Sequence, residues 1–235
     1  MSTPSVEIMN VIVHGAQSDA AAWEPVKALL SEPTEVPERR GRNGVPLPAG
    51  YSLRTEVDDL HAVLDRLERT TLIGHSYGGL IALLTAQERD DLEALVLYEP
   101  AIGLNTVAVE AFGNALAGGD RDLALEVMVT RIAGERSFRD TDPEGWLAAQ
   151  EMLETTWEEL KQADGYRYAP PKLRVPVTVV VGERTDRIFG PAARDIVLDT
   201  GGRLVTLRGE GHIAHVTNPA LLAATIEGRS TTLDA

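Results

Sequence analysis

Gly74, Ser76 and Gly78 stand two apart in the run TLIGHSYGGLIALLTA, residues 71–86, and Gly79 follows them. An apolar strand-like stretch meets an apolar helix-like stretch here with almost no room for a turn. A residue projecting from so abrupt a corner is forced into strained backbone angles, and side chains two places before or after it would clash. Glycine removes the clash. Ser76 is then lifted above a sheet edge at the start of a helix, where N–H groups and the helix dipole favour developing negative charge. The chemistry of that position is nucleophilic attack by a hydroxyl. A glycine-rich turn whose serine merely caps the next helix is the plainer alternative; the strand before the pattern and the helix after it favour the nucleophile.

A serine hydroxyl needs a base, and the base needs an orienting acid. The segment VPVTVVVGERTD ends in Asp186 a few residues past its last valine, and RLVTLRGEGH ends in His212 within a loop that Gly209 and Gly211 free to turn inward. Ser76, Asp186 and His212 thus all fall just past the carboxyl ends of expected parallel strands, where open α/β sheets place their sites. Asp186 could instead pair with Arg184 or Arg187, leaving Glu183 and Glu99 as substitute acids, and His215 is the rival for the base. In VIVHGAQ, Gly15 follows the first strand, and the turn there can aim the Ala16 N–H at the same point as the Tyr77 N–H. Two converging donors make an oxyanion hole. His14 is assigned a structural role in that turn, and His61 faces solvent.

These positions need a scaffold. Apolar, β-branched runs alternate with segments of helical period, the sign of a parallel sheet covered on both faces. Strands are expected at Glu7 to Val13, Thr34 to Val36, Thr70 to Ile73, Glu93 to Tyr98, Val175 to Val181 and Arg203 to Leu207. Helices are expected at Ala21 to Ser31, Thr55 to Glu68, Tyr77 to Glu88, Pro191 to Leu198 and Pro219 to Glu227. The fold class is α/β, about six mostly parallel strands with helices on both faces. Between Tyr98 and Val175 three helical patterns, Val107 to Ala117, Arg121 to Ile132 and Pro143 to Gln162, interrupt the alternation without a strand. Residues 104–169 are therefore expected to form a helical insertion, with 1–103 and 170–235 as the core. Candidate pocket walls are Gln17, Tyr77 and Ile188 and, on the insertion, Phe112, Met128, Trp146 and Trp157, although amphipathic helices carry such residues simply to pack. The Pro- and Gly-rich stretch Glu32 to Gly50 reads as a surface loop whose Arg39, Arg40 and Arg42 are solvated.

Composition narrows the function classes. The 235 residues suit one domain, with 43% hydrophobic content and 22 Lys+Arg against 36 Asp+Glu, a net charge of −14. Such a surface repels nucleic acid and anionic membranes on average. There is no cysteine, hence no thiolate nucleophile and no disulfide framework. The first residues lack a basic leader and no apolar run approaches a membrane span, so a cytoplasmic protein with a small-molecule substrate is expected. The oligomeric state is left open.

The segments VHGAQ, RRGRNG, GHSYGG, GERTD and GEGHIAHVTNP together resemble the α/β-hydrolase superfamily, and specifically its compact esterase and hydroxynitrile-lyase branch, over nearly all of the expected core. The resemblance implies Ser76, Asp186 and His212 as nucleophile, acid and base, Ala16 and Tyr77 as oxyanion-hole positions, and the insertion as a cap over the pocket. It implies hydrolysis of a small or medium-sized, largely apolar ester, thioester or lactone through an acyl-enzyme, with no metal or organic cofactor. Haloalkane dehalogenases and epoxide hydrolases of this fold place Asp where Ser76 stands. The lyases use an active-site lysine, whereas Lys27, Lys161 and Lys172 all lie off the motif loops. A cofactor-free lyase, cyclase or perhydrolase on the same residues, or a non-enzymatic ligand sensor, are the competing readings.

Overall fold

The computed structural model describes residues 7–229, so the outer ends of the expected core segments, 1–6 and 230–235, lie outside it. Six strands form one sheet: β1 (Met9–Val13), β2 (Thr34–Glu35), β3 (Thr70–His75), β4 (Leu92–Tyr98), β5 (Val177–Gly182) and β6 (Arg203–Leu207). Their order is β2-β1-β3-β4-β5-β6, and every pair is parallel. The central strands read as continuous apolar runs because helices cover both of their faces. In β5, for example, Val179, Val180 and Val181 are all fully buried. The edges are blunter. β2 is two residues long, and β6 keeps most of its side chains partly exposed.

The helices are α1 (Glu24–Lys27), α2 (Leu53–Leu64), α3 (Tyr77–Gln87), α4 (Thr106–Ala117), α5 (Arg121–Val127), α6 (Pro143–Ala149), α7 (Leu153–Gly165), α8 (Asp186–Thr200), α9 (Ala214–Thr217) and α10 (Pro219–Ile226). α2 starts where the Ser52 hydroxyl accepts the Thr55 N–H, and it buries Val57, Leu60 and Leu64 along one stripe. α3 is apolar all round and buried all round, which fixes the elbow at its head against the middle of the sheet. None of the described helices is long and apolar enough to cross a membrane.

α4 to α7 lie between β4 and β5 and bury Phe112, Leu125, Trp146 and Leu153 in a cluster of their own. The segment expected as one helix from Pro143 is broken by a 3-10 turn at Gln150–Met152, and the one from Arg121 ends in a π turn at Met128–Ile132. α8 departs most from expectation. It begins five residues before Pro191, so Asp186 sits on a helix and not on a loop. A second correction concerns the arginines. Arg40 is exposed and pairs with Asp59, but Arg39 and Arg42 are buried beneath α7, where both meet the fully buried Glu159. Glu159 reaches both only because the insertion is laid over their loop, which the local run of sequence does not reveal, and Glu56 of α2 adds a contact to Arg39 at 4.0 Å.

Candidate active site

Ser76 takes φ 53° and ψ −120°, a conformation costly for a side-chain-bearing residue, and its side chain makes no capping bond to α3. The surroundings explain how the strain is held. The Ser76 N–H donates to Tyr98 O at 3.0 Å and its carbonyl accepts the Ala101 N–H at 2.9 Å, so the elbow is pinned to the end of β4. A Cβ on Gly78 would come within 2.1 Å of Val13 O, and one on Gly74 within 2.6 Å of Gly78 O. Only glycine lets β1, β3 and the start of α3 approach so closely.

His212 is set between two rings and a carboxylate. Phe189 stacks on it at 4.3 Å and His75 leans against it at 4.6 Å, while His75 Nε2 lies 2.9 Å from the His212 carbonyl. Its Nδ1 lies 2.6 Å from Glu99 Oε2. Glu99 follows β4, is fully buried, and takes φ 44°. Its other oxygen accepts the Gly182 N–H at 2.7 Å and the Thr185 hydroxyl at 2.5 Å. The expectation that Asp186 orients the histidine is corrected here: as the first residue of α8, Asp186 is drawn along the helix to Arg194 at 2.8 Å, its side chain 41% exposed. Thr185, one residue earlier, points inward and meets the same Glu99. Glu183 bonds the Gly209 N–H instead.

Three other imidazoles are buried, which disfavours their charged form. Burial, together with neighbouring His212, lowers His75 well below the usual histidine range and His215 to about 3. His215 lies flat on Trp23 at 4.7 Å and its Nδ1 has no hydrogen-bond partner among the described residues, so its surroundings differ from those of His212. Burial lowers His14 to about 4, and its Nδ1 lies 3.2 Å from Gly15 O within the turn after β1.

Ser76, His212, Ala16 and Tyr77 line one small cavity with Met128. Its volume is about 10 Å³, barely room for one water. The N–H groups of Ala16 and Tyr77 have no acceptor among the described residues. A larger cleft of about 320 Å³ opens alongside, shares Ala16, Met128 and His212 with the cavity, and is walled mainly by apolar side chains such as Leu125, Val129 and Phe138. Gln17 reaches this cleft. Phe112, Trp146 and Trp157 do not: Phe112 and Trp157 pack on each other inside the insertion, and the Trp146 indole donates to Asp122. Ile188 lines a separate groove beside Tyr166 and Arg187. Aromatic residues at helical spacing had more than one way to be buried, and the insertion's own core took most of them.

The arrangement brings together an alcohol on a strained turn, an imidazole held by a buried carboxylate, and two unpaired N–H donors. Known proteins resemble this chain in sequence and in fold. Lipase LipV of Mycobacterium tuberculosis is 28% identical over 210 residues, 87% of this chain and 74% of that protein. A putative carbamate hydrolase, RutD, of Klebsiella pneumoniae is 27% identical over 234 residues, 88% of this chain and 85% of that protein. The structure of an enol-lactonase from Burkholderia xenovorans superposes with a TM-score of 0.74 at 21% identity, over 95% of this chain and 91% of that one. The model of the alpha/beta hydrolase family matches residues 11–225, and the chain belongs to that family of enzymes.

Proposed function

We propose that the protein hydrolyses a small or medium-sized, largely apolar carboxylic ester, thioester or lactone through an acyl-enzyme on Ser76. The observation that carries this reading is His212 with Nδ1 on the buried Glu99 and its ring on the cavity that holds Ser76. An ionised Glu99 can only accept, so Nδ1 keeps the proton and the Nε2 lone pair is left for the serine. His212 then takes the Ser76 proton as the oxygen attacks the substrate carbonyl carbon. The N–H groups of Ala16 and Tyr77 hold the oxyanion, each worth about 3 to 4 kcal/mol in the transition state. His212 returns its proton to the leaving alcohol or thiol as the C–O or C–S bond breaks. A water deprotonated by His212 attacks the acyl carbon, and the proton passes to Ser76 as the acid is released.

The apolar cleft supports an apolar acyl or alcohol part, at the lower end of the usual size for small-molecule pockets. The insertion, which supplies Met128, Ile132 and Leu160 to the Ser76 cavity, acts as its cap. A fluorophosphonate should label Ser76 stoichiometrically, and a panel of p-nitrophenyl esters, thioesters and lactones should reveal turnover. Labelling with no turnover on any member would replace hydrolysis by another reaction or by simple binding.

A further inference from the structure

Resting on the reading of Ala16 as an oxyanion donor, we infer that α7 of the insertion positions that donor, with Gln17 and Thr156 as the positioning residues. The loop from Gly15 to Ser18 leaves β1 without continuing any element, and Gln17 holds a left-handed φ of 53° that a glutamine does not favour. What fixes it comes from far along the chain. The Thr156 hydroxyl donates to Gln17 Oε1 at 2.7 Å, and Gln17 Nε2 donates to the Ala149 carbonyl, so both ends of the amide are held by the insertion. Thr156 is fully buried, and no solvent competes for its bond.

A second bridge reaches the same loop. Arg42 Nε donates to Ser18 O at 2.6 Å and its Nη2 to Gly15 O at 3.3 Å, one bond on each side of Ala16 and Gln17. The same guanidinium pairs at 2.9 Å with Glu159, one turn after Thr156 on α7. Thr155 and Gln162 tie the helix further, to Gly41 O and the Leu53 N–H. α7 is thus seated on the core, and its inner face serves as a splint for four residues that include the Ala16 N–H. A donor displaced by a fraction of an ångström loses much of its value only when charge develops on the substrate oxygen, so the effect belongs to the transition state.

The test compares Thr156→Val and Gln17→Met, singly and together, on the best ester of the panel. Each single variant should lower kcat by about tenfold with KM within about twofold, a fraction of the 10² to 10³ lost when a whole donor is removed. Thr156→Ser should restore most of the rate. The double variant should be no slower than Gln17→Met alone, because both break one bridge. Affinity for an alkyl boronic acid that mimics the tetrahedral intermediate should fall in step with kcat. Should Thr156→Val fail to fold, Gln17→Met carries the test alone. Unchanged kcat with a lowered melting temperature, or a rise in KM at constant kcat, would overturn the inference. An inactive and unlabelled native protein would instead overturn the hydrolase reading itself.

Discussion

Glu99 and Asp186 stand just past neighbouring parallel strands, and their surroundings could hardly differ more. Glu99 is fully buried and accepts from a backbone N–H and a hydroxyl with one oxygen while the other meets His212. Asp186 opens a helix and shares an exposed ion pair with Arg194. A left-handed turn at Glu99 directs its side chain back over the sheet, whereas α8, beginning at Asp186, directs that side chain outward. A carboxylate's distance from the end of its strand therefore says little about its role. What decides is the backbone conformation at that residue and whether hydrogen bonds can replace the water lost on burial.

The contrast can be broken by experiment. The largest effect sets the scale: Ser76→Ala should lower kcat for ester hydrolysis by about 10⁶-fold. Glu99→Gln keeps the shape but can leave the His212 proton on the wrong nitrogen, and should lower kcat by up to about 10⁴-fold. Thr185→Val removes one bond that holds Glu99 and should cost about tenfold, the worth of a single hydrogen bond to a charged group. Stability should report the neutral imidazoles. Burial lowers His215 to about 3, while the unfolded chain protonates it near 6.5. Between those values the unfolded state holds the extra proton, so stability is full above about pH 6.5 and falls on acidification by about 1.4 kcal/mol per pH unit for this residue. In urea unfolding followed across that range, His215→Phe should lose that part of the slope. Asp186→Asn, which touches only an exposed pair, should change kcat less than about twofold.

Much of this molecule is legible in its sequence. Ser76 and its glycines declare the elbow because the steric demand is local: three chain segments meet where a Cβ cannot fit. All six strands are legible as well, since a sheet covered on both faces needs uninterrupted apolar runs. The carboxylate that meets His212 is harder. Glu99 and Asp186 both follow such runs, and only the three-dimensional sum of Gly182, Thr185 and His212 separates them. A polar residue placed immediately after a strand as apolar as LVLY, with no solvent to receive it, is the signal that could have singled out Glu99, which the sequence reading offered only as a substitute acid. Arg39 and Arg42 were illegible for a related reason, because Glu159, the carboxylate they share, is more than a hundred residues away. The tryptophans of the insertion show the limit from the other side: their spacing establishes burial, not what they are buried against.

The most direct measurement is kcat/KM of Glu99→Gln beside that of Asp186→Asn, both checked for native folding, on one ester. The account predicts a loss of several orders of magnitude in the first and near-native turnover in the second. A crippled Asp186→Asn with an active Glu99→Gln would contradict it and return the role to the carboxylate on α8.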